Sequence, residues 1–179
     1  AGVNTGSWNA DDWWVWDSHF IDCARGVSNV HTTLDGQSLV TGGAGGLFVY
    51  RSFFERSKIA DFNIGNTGFF SMYHNLSVGS YRFWQGNDVG NNSAEIVMVG
   101  NRVIDTVNPV AVQNGNVGPL IMIDNQFRSL PSVSGPVISV SSGISDRNII
   151  SIGNKYTVAN PIVTLSASDR LWTQEDQVV

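Results

Sequence analysis

Six stretches of this 179-residue chain repeat one phrase: an apolar run, one variable residue, Ser or Asn, and usually an apolar residue two positions on. The first reads Trp13-Trp14-Val15-Trp16-Asp17-Ser18-His19-Phe20, and its relatives occupy 47–54, 70–77, 96–103, 120–127 and 149–156. The copy at 70–77 is the poorest match, because Ser77 stands where the others carry an apolar residue. The anchors are Ser18, Ser52, Asn75, Asn101, Asn125 and Asn154, spaced by 34, 23, 26, 24 and 29 residues. Short strands between Gly and Asn turns cannot bury an apolar face alone; stacking each repeat on the next does bury it. Asn tolerates left-handed geometry at a sharp bend, and amides stacked in register bond from coil to coil. The corner asparagines are therefore expected to take the bend and to form a ladder. Asn75-Leu76-Ser77 and Asn91-Asn92-Ser93 match the glycosylation sequon, but an Asn75 in the ladder points inward.

A second strand follows the anchor in the later repeats, at 108–112, 135–140 and 160–165, each entered through Pro109, Pro136 or Pro161. A missing N–H is tolerated there. Composition agrees. Charged residues are 14% of the chain, too few for a helical bundle, and hydrophobic residues are 42%, too many for a disordered chain. The net charge of −5 argues against nucleic acid as the main partner. No apolar run approaches the ~18 residues of a membrane span. Cys23 is single, so no internal disulfide forms, and it reads as a buried, inert thiol.

The coil length, the repeated apolar–Asn–x–apolar corner and the phrase Phe20-Ile21-Asp22-Cys23-Ala24-Arg25-Gly26-Val27 resemble right-handed parallel β-helix proteins of the pectate-lyase-like superfamily. The resemblance covers about residues 13–168. It implies an all-β chain, a right-handed parallel β-helix (solenoid) of about six coils, with 1–12 as a lead-in and 169–179 as a C-terminal tail. An insert at 31–46 breaks the period; it is glycine-rich but lacks the Gly-Lys-Ser/Thr of a phosphate loop. Superfamily members usually have more coils and an N-terminal cap. The short lead-in, without a signal-peptide pattern or initiator Met, reads as a processed, trimmed or partial chain, or one whose open coil another chain covers.

The strand before each corner is apolar at nearly every position. Three before the corner stand Val15, Val49, Met72, Met98, Met122 and Ser151; four before stand Trp14, Phe48, Ser71, Val97, Ile121 and Ile150. Strand side chains alternate, so one column faces outward. A strand apolar on both faces has both faces covered. The Val15/Val49/Met72/Met98/Met122 face is expected to meet a homo-oligomer partner or a neighbouring domain.

Candidate chemistry is sparse. Asp17, Arg51 and His74 precede successive corners, so they form either a polar constellation gripping a sugar chain or a surface charge ladder. Trp13, Trp14 and Trp16, with Trp8 and Trp84, offer rings for sugar stacking, or else fill and cap the first coil. Hydrolysis of a glycoside needs two carboxylates ~5–9.5 Å apart. Asp17 and Asp124 are four coils apart, ~19 Å, and Asp22 and Asp105 three coils, ~14 Å. The resemblance implies Lys or Arg for a lyase, which must remove a proton beside a carboxylate. Lys58 and Arg82 fill those roles best, with Asp61 and His31 near them; the alternative is two solvated surface cations. No grouping has metal-ligand spacing, Asp11-Asp12 and Asp88 included, and no cofactor is implied. Two functions remain open. One is an extracellular or cell-surface protein that interacts with polysaccharide, in enzymatic form a polysaccharide lyase or glycoside hydrolase. The other is a non-catalytic assembly module of a trimeric spike, adhesin or filament.

Overall fold

The computed structural model describes residues 1–4, 12–32, 39–41, 44–64, 67–87, 94–113, 117–132, 135–140, 148–163 and 170–179. The chain forms a parallel β-helix. It winds through three seven-stranded sheets, and every pairing within them is parallel. The first sheet contains Trp13–Trp16, Ala44–Tyr50, Thr67–Tyr73, Ala94–Val99, Val117–Ile123, Asn148–Ile152 and Arg170–Gln174. The second begins with His19–Ile21 and Phe53–Glu55 and ends with Gln177–Val178. The third runs from Val3–Asn4 through Ala60–Ile64 and Trp84–Asn87 to Ile162–Val163. Both ends of the sequence thus contribute strands to the stack. At the insert, Val30–Thr32, which begins one residue before it, and Leu39–Thr41 form a separate antiparallel pair.

The interior is a set of stacked columns. Leu47, Phe70, Ile96, Leu120 and Ile149 fill one, and Val49, Met72, Met98 and Met122 the next. From the second sheet come Phe20, Phe54, Val103, Phe127 and Tyr156; the Phe20 and Phe54 rings stack at 4.9 Å, and Phe127 and Tyr156 at 5.7 Å. Each such side chain stabilises the fold by roughly 1.5–3 kcal/mol relative to exposure. Cys23 is half-buried against this core.

The Val15/Val49/Met72/Met98/Met122 column therefore lines the core and cannot be the partner face expected from the sequence. The outward column is Trp14, Phe48, Val97, Ile121 and Ile150. The cause lies at the corner. Asp17, Arg51, His74, Asp124 and Glu175 have φ between 46 and 59°, and Gly100 and Gly153 have 63 and 65°. One left-handed residue breaks the strand alternation. The anchor and the residue three before it then both face inward.

The same geometry corrects the role given to asparagine. The residue before Asn takes the left-handed bend, and Asn bonds the backbone around it. Asn75 Nδ2 donates to Asn101 Oδ1 (3.1 Å), Asn101 Nδ2 to Asn125 Oδ1 (2.8 Å) and Asn125 Nδ2 to Asn154 Oδ1 (2.9 Å). Each amide also donates to a carbonyl of the preceding coil, as from Asn125 to Met98 O. Each Oδ1 accepts the anchor N–H of the coil before it. Ser52 Oγ serves as a rung for Ser18 N, and Asp176 ends the ladder by accepting from Asn154 N. Asn75 is buried within it, while Asn91 lies outside the described residues. A second left-handed column falls four residues after the anchors, at Asp22, Arg56, Gly79 and Asp105.

Candidate functional site

The outer surface of the first sheet carries the feature that most needs an explanation. Trp16 pairs with Tyr50, and Tyr50 with Tyr73, on adjacent strands. All three lie two residues before a corner, on the outward side of the pleat. The Tyr50 and Tyr73 rings stack at 5.2 Å and 15°. A parallel group runs beside them: Trp14 meets Phe48 at 4.9 Å, and Phe48 meets Phe69 at 5.5 Å. Trp16 is 60% and Trp14 48% exposed, and the other four rings are half-buried. Successive strands are ~4.8 Å apart, so the Trp16–Tyr50–Tyr73 column spans ~10 Å.

The corner next to this column is polar. Arg51 grips Asp17 with two bonds, Nε to Oδ1 at 3.0 Å and Nη2 to Oδ2 at 2.8 Å. The Arg51 bond holds the Asp17 carboxyl below its usual range; desolvation opposes this, and the guanidinium charge adds to it. His74 continues the column and is exposed. Its ring leans over the next corner, where Gly100 leaves it room: a Cβ there would collide with Nδ1. Burial raises the Tyr73 phenol, with Tyr50 and Glu95 adding to the shift, so the hydroxyl stays protonated at neutral pH. Asp17, Arg51 and His74 thus occupy consecutive rungs of one edge, the ladder expected from their spacing, and Trp16 precedes the first of them. Tyr50, Tyr73, Phe48 and Phe69 belong with them. The signal of Tyr50 and Tyr73 was in the sequence, two positions before the corner, in the column that begins with Trp16; Phe48 and Phe69 lie four and six positions before theirs.

The other candidates differ in burial. Trp84 is 1% exposed and packed in the core, so it has no free face for a sugar. Trp13 turns toward the interior at the first coil, pairing with Leu47, and stays 40% exposed. Lys58 is exposed. Arg82 is half-buried over the Tyr81 ring at 4.8 Å, with Nη1 on Gln85 Oε1 at 2.7 Å. Asp61 lies wholly inside the coil, where Ser77 Oγ donates to Oδ2 at 2.5 Å and Ser80 Oγ to Oδ1 at 2.7 Å. Desolvation pushes its pKa up to about 7 against the pull of these hydroxyls and of Ser57. Asp61 N donates to Arg82 O at 2.9 Å, and no ion pair joins the two side chains among the described residues. The proposed lyase group therefore has its carboxyl inside the wall and Lys58 outside it. His31 has a side chain outside the described residues, as do Trp8, Asp11 and Asp88.

Backbone bonds link the Asp17, Arg51, His74, Gly100 and Asp124 corners in sequence. Asp17 and Asp124 thus stand four strands apart, ~19 Å, outside the range for a hydrolytic pair. Asp22 is instead held by Arg56, with Nε to Oδ1 at 2.8 Å. Among the described residues no group of three or more His, Cys, Asp or Glu could hold a metal, and no helix is long and apolar enough to cross a membrane. Comparison with family models, curated proteins and solved structures finds no match.

Proposed function

We propose that this β-helix is a non-catalytic, extracellular carbohydrate-binding protein. Its binding surface is the Trp16–Tyr50–Tyr73 column with the Asp17–Arg51–His74 edge. The observation that carries the reading is the register: three aromatic rings and three polar side chains occupy adjacent columns on the same successive strands. Sugar rings have apolar C–H faces, which pack on indole and phenol rings, and rims of hydroxyls, which bond to a carboxylate or guanidinium. An aromatic row beside a charged row suits a chain of sugars lying across the strands. The resemblance of the corner repeat to the pectate-lyase-like superfamily supports a polysaccharide as the ligand. Affinity electrophoresis or titration against a panel of soluble polysaccharides tests this. Each aromatic contact is worth ~0.5–1.5 kcal/mol, so Trp16→Ala with Tyr50→Ala should weaken binding at least about fivefold while circular dichroism is unchanged. Full retention of binding by that double variant would sink the assignment.

A second reading rests on the other half of the same face. Val97, Val99, Ile121, Ile123, Ile150 and Ile152 continue the outward columns as aliphatic side chains. Parallel sheets are usually covered on both faces, so this half suits assembly with another subunit or domain. Sedimentation of the native chain and of Ile121→Glu distinguishes the two. A change of assembly state on substitution supports the module reading; an unchanged monomer removes it.

A further inference from the structure

The chain is acidic, with 15 Asp and Glu against 10 Lys and Arg, yet three of its cations gather around one groove. Arg102, Gln126 and Lys155 are register partners on consecutive strands of the second sheet. Arg128 lies two residues beyond Gln126, opposite Ile104. With Thr157 they line a shallow groove of about 220 Å³. Arg102, Gln126, Arg128 and Lys155 are exposed, and Ile104 is half-buried. Arg128 bonds to Asp105 at 3.2 Å; Arg102 and Lys155 make no ion pair among the described residues. Thr157 Oγ1 accepts from Ser129 N at 3.1 Å, which leaves its O–H free to donate.

The spacing is the informative part. Arg102 and Lys155 are two strands apart, ~9.6 Å, with the neutral amide of Gln126 between them. Like charges on directly opposed positions repel, and Gln126 keeps these two apart. The result is a row of positive charge, amide and positive charge, flanked by a guanidinium and a hydroxyl. Each can donate to an oxyanion, and charge-assisted bonds of this kind are the strong ones. This surface is separate from the aromatic column: it belongs to another sheet and to later coils.

We propose that the Arg102–Gln126–Lys155 groove is a second binding site, for a linear polymer carrying oxyanion groups. One oxyanion sits at Arg102 and another at Lys155, with Arg128 beside them. The site does not depend on sugar stacking, so it stands or falls separately from the aromatic surface.

Calorimetric titration of the full chain tests it, using a sulfated dextran oligosaccharide, an uncharged dextran oligosaccharide of equal length, and sodium sulfate. Arg102→Gln, Lys155→Gln and Lys58→Gln each remove one positive charge. The sulfated oligosaccharide should bind at least tenfold more tightly than the other two probes. Arg102→Gln and Lys155→Gln should each weaken it at least fivefold, Lys58→Gln less than twofold, and added salt should weaken it further. Equal losses in all three variants would reduce the effect to net charge and overturn the site. Absence of binding, or inorganic sulfate bound as tightly as the oligomer, would overturn the polymer assignment. Denaturation midpoints confirm that each variant is folded.

Discussion

The buried carboxyl of Asp61 makes the stability of this β-helix depend on pH in a defined direction. Asp61 is inside the wall, bonded to Ser77 and Ser80, with no cation bonded to it among the described residues. Desolvation raises its pKa from 3.8 to about 7. A raised pKa means that the folded chain holds the proton more tightly than the unfolded chain. The stabilisation is fully present below about pH 3.8 and is lost as pH rises through about 7. At about 1.4 kcal/mol per pH unit, a gap of about three units is worth about 4 kcal/mol. Above pH 7 the folded protein carries an unpaired buried carboxylate. The perturbation is Asp61→Asn, which keeps an acceptor for one hydroxyl and removes the titration. Urea denaturation of both proteins from pH 4 to pH 8.5 measures the effect. The native protein should lose about 4 kcal/mol relative to the variant across that range, and the variant should be the more stable protein at pH 8.5. Two parallel profiles would refute the reasoning. Asp17 and Asp22, both held down by arginines, act in the opposite direction at low pH, but in native protein and variant alike.

Three further outcomes follow from the interior. Asn125→Ala removes the acceptor shared by Asn101 N and Nδ2 and the amide donor to Met98 O, while Asn154 Oδ1 keeps the N–H of residue 125; at ~1–3 kcal/mol per unsatisfied buried group, it should lower unfolding free energy by about 3 kcal/mol, and a loss below about 0.5 kcal/mol would contradict the ladder. Met98→Glu should destabilise severely, by about 4 kcal/mol or more, because it places a charge in a fully buried column. Ile121→Glu, one column outward, should fold normally by circular dichroism, and equal damage from both would contradict the assigned pleat.

The solenoid was legible because its signal is additive. Six aligned corners repeat the same apolar and amide positions, and stacking is the only packing that satisfies all of them. The phase of the pleat was not legible. It depends on a single left-handed residue before each anchor, and Asp17, Arg51 and His74 do not advertise that geometry as Gly100 and Gly153 do. This is why the Val15 column was placed on the wrong face. The Asp17–Arg51–His74 edge was readable from spacing alone, since parallel register conserves offsets from the anchor. Trp84 was misplaced because its strand lies on the third sheet, after loops of unequal length, where offsets from the anchor no longer fix orientation. Asp61 lies on the same sheet, and its burial was hidden for the same reason. Asp176 continues the ladder with a carboxylate in place of the amide, a change that concealed the corner at Glu175.

The central claim is that the outer aromatic column with its polar edge contacts sugar. Side-chain NMR of the native protein titrated with an oligosaccharide that binds it tests this most directly. The indole N–H of Trp16 and the ring protons of Tyr50 and Tyr73 should shift, with the His74 ring following. The indole of Trp84 is buried away from that surface and should stay fixed. Saturating ligand that leaves Trp16, Tyr50 and Tyr73 unmoved, while signals elsewhere shift, would contradict the claim.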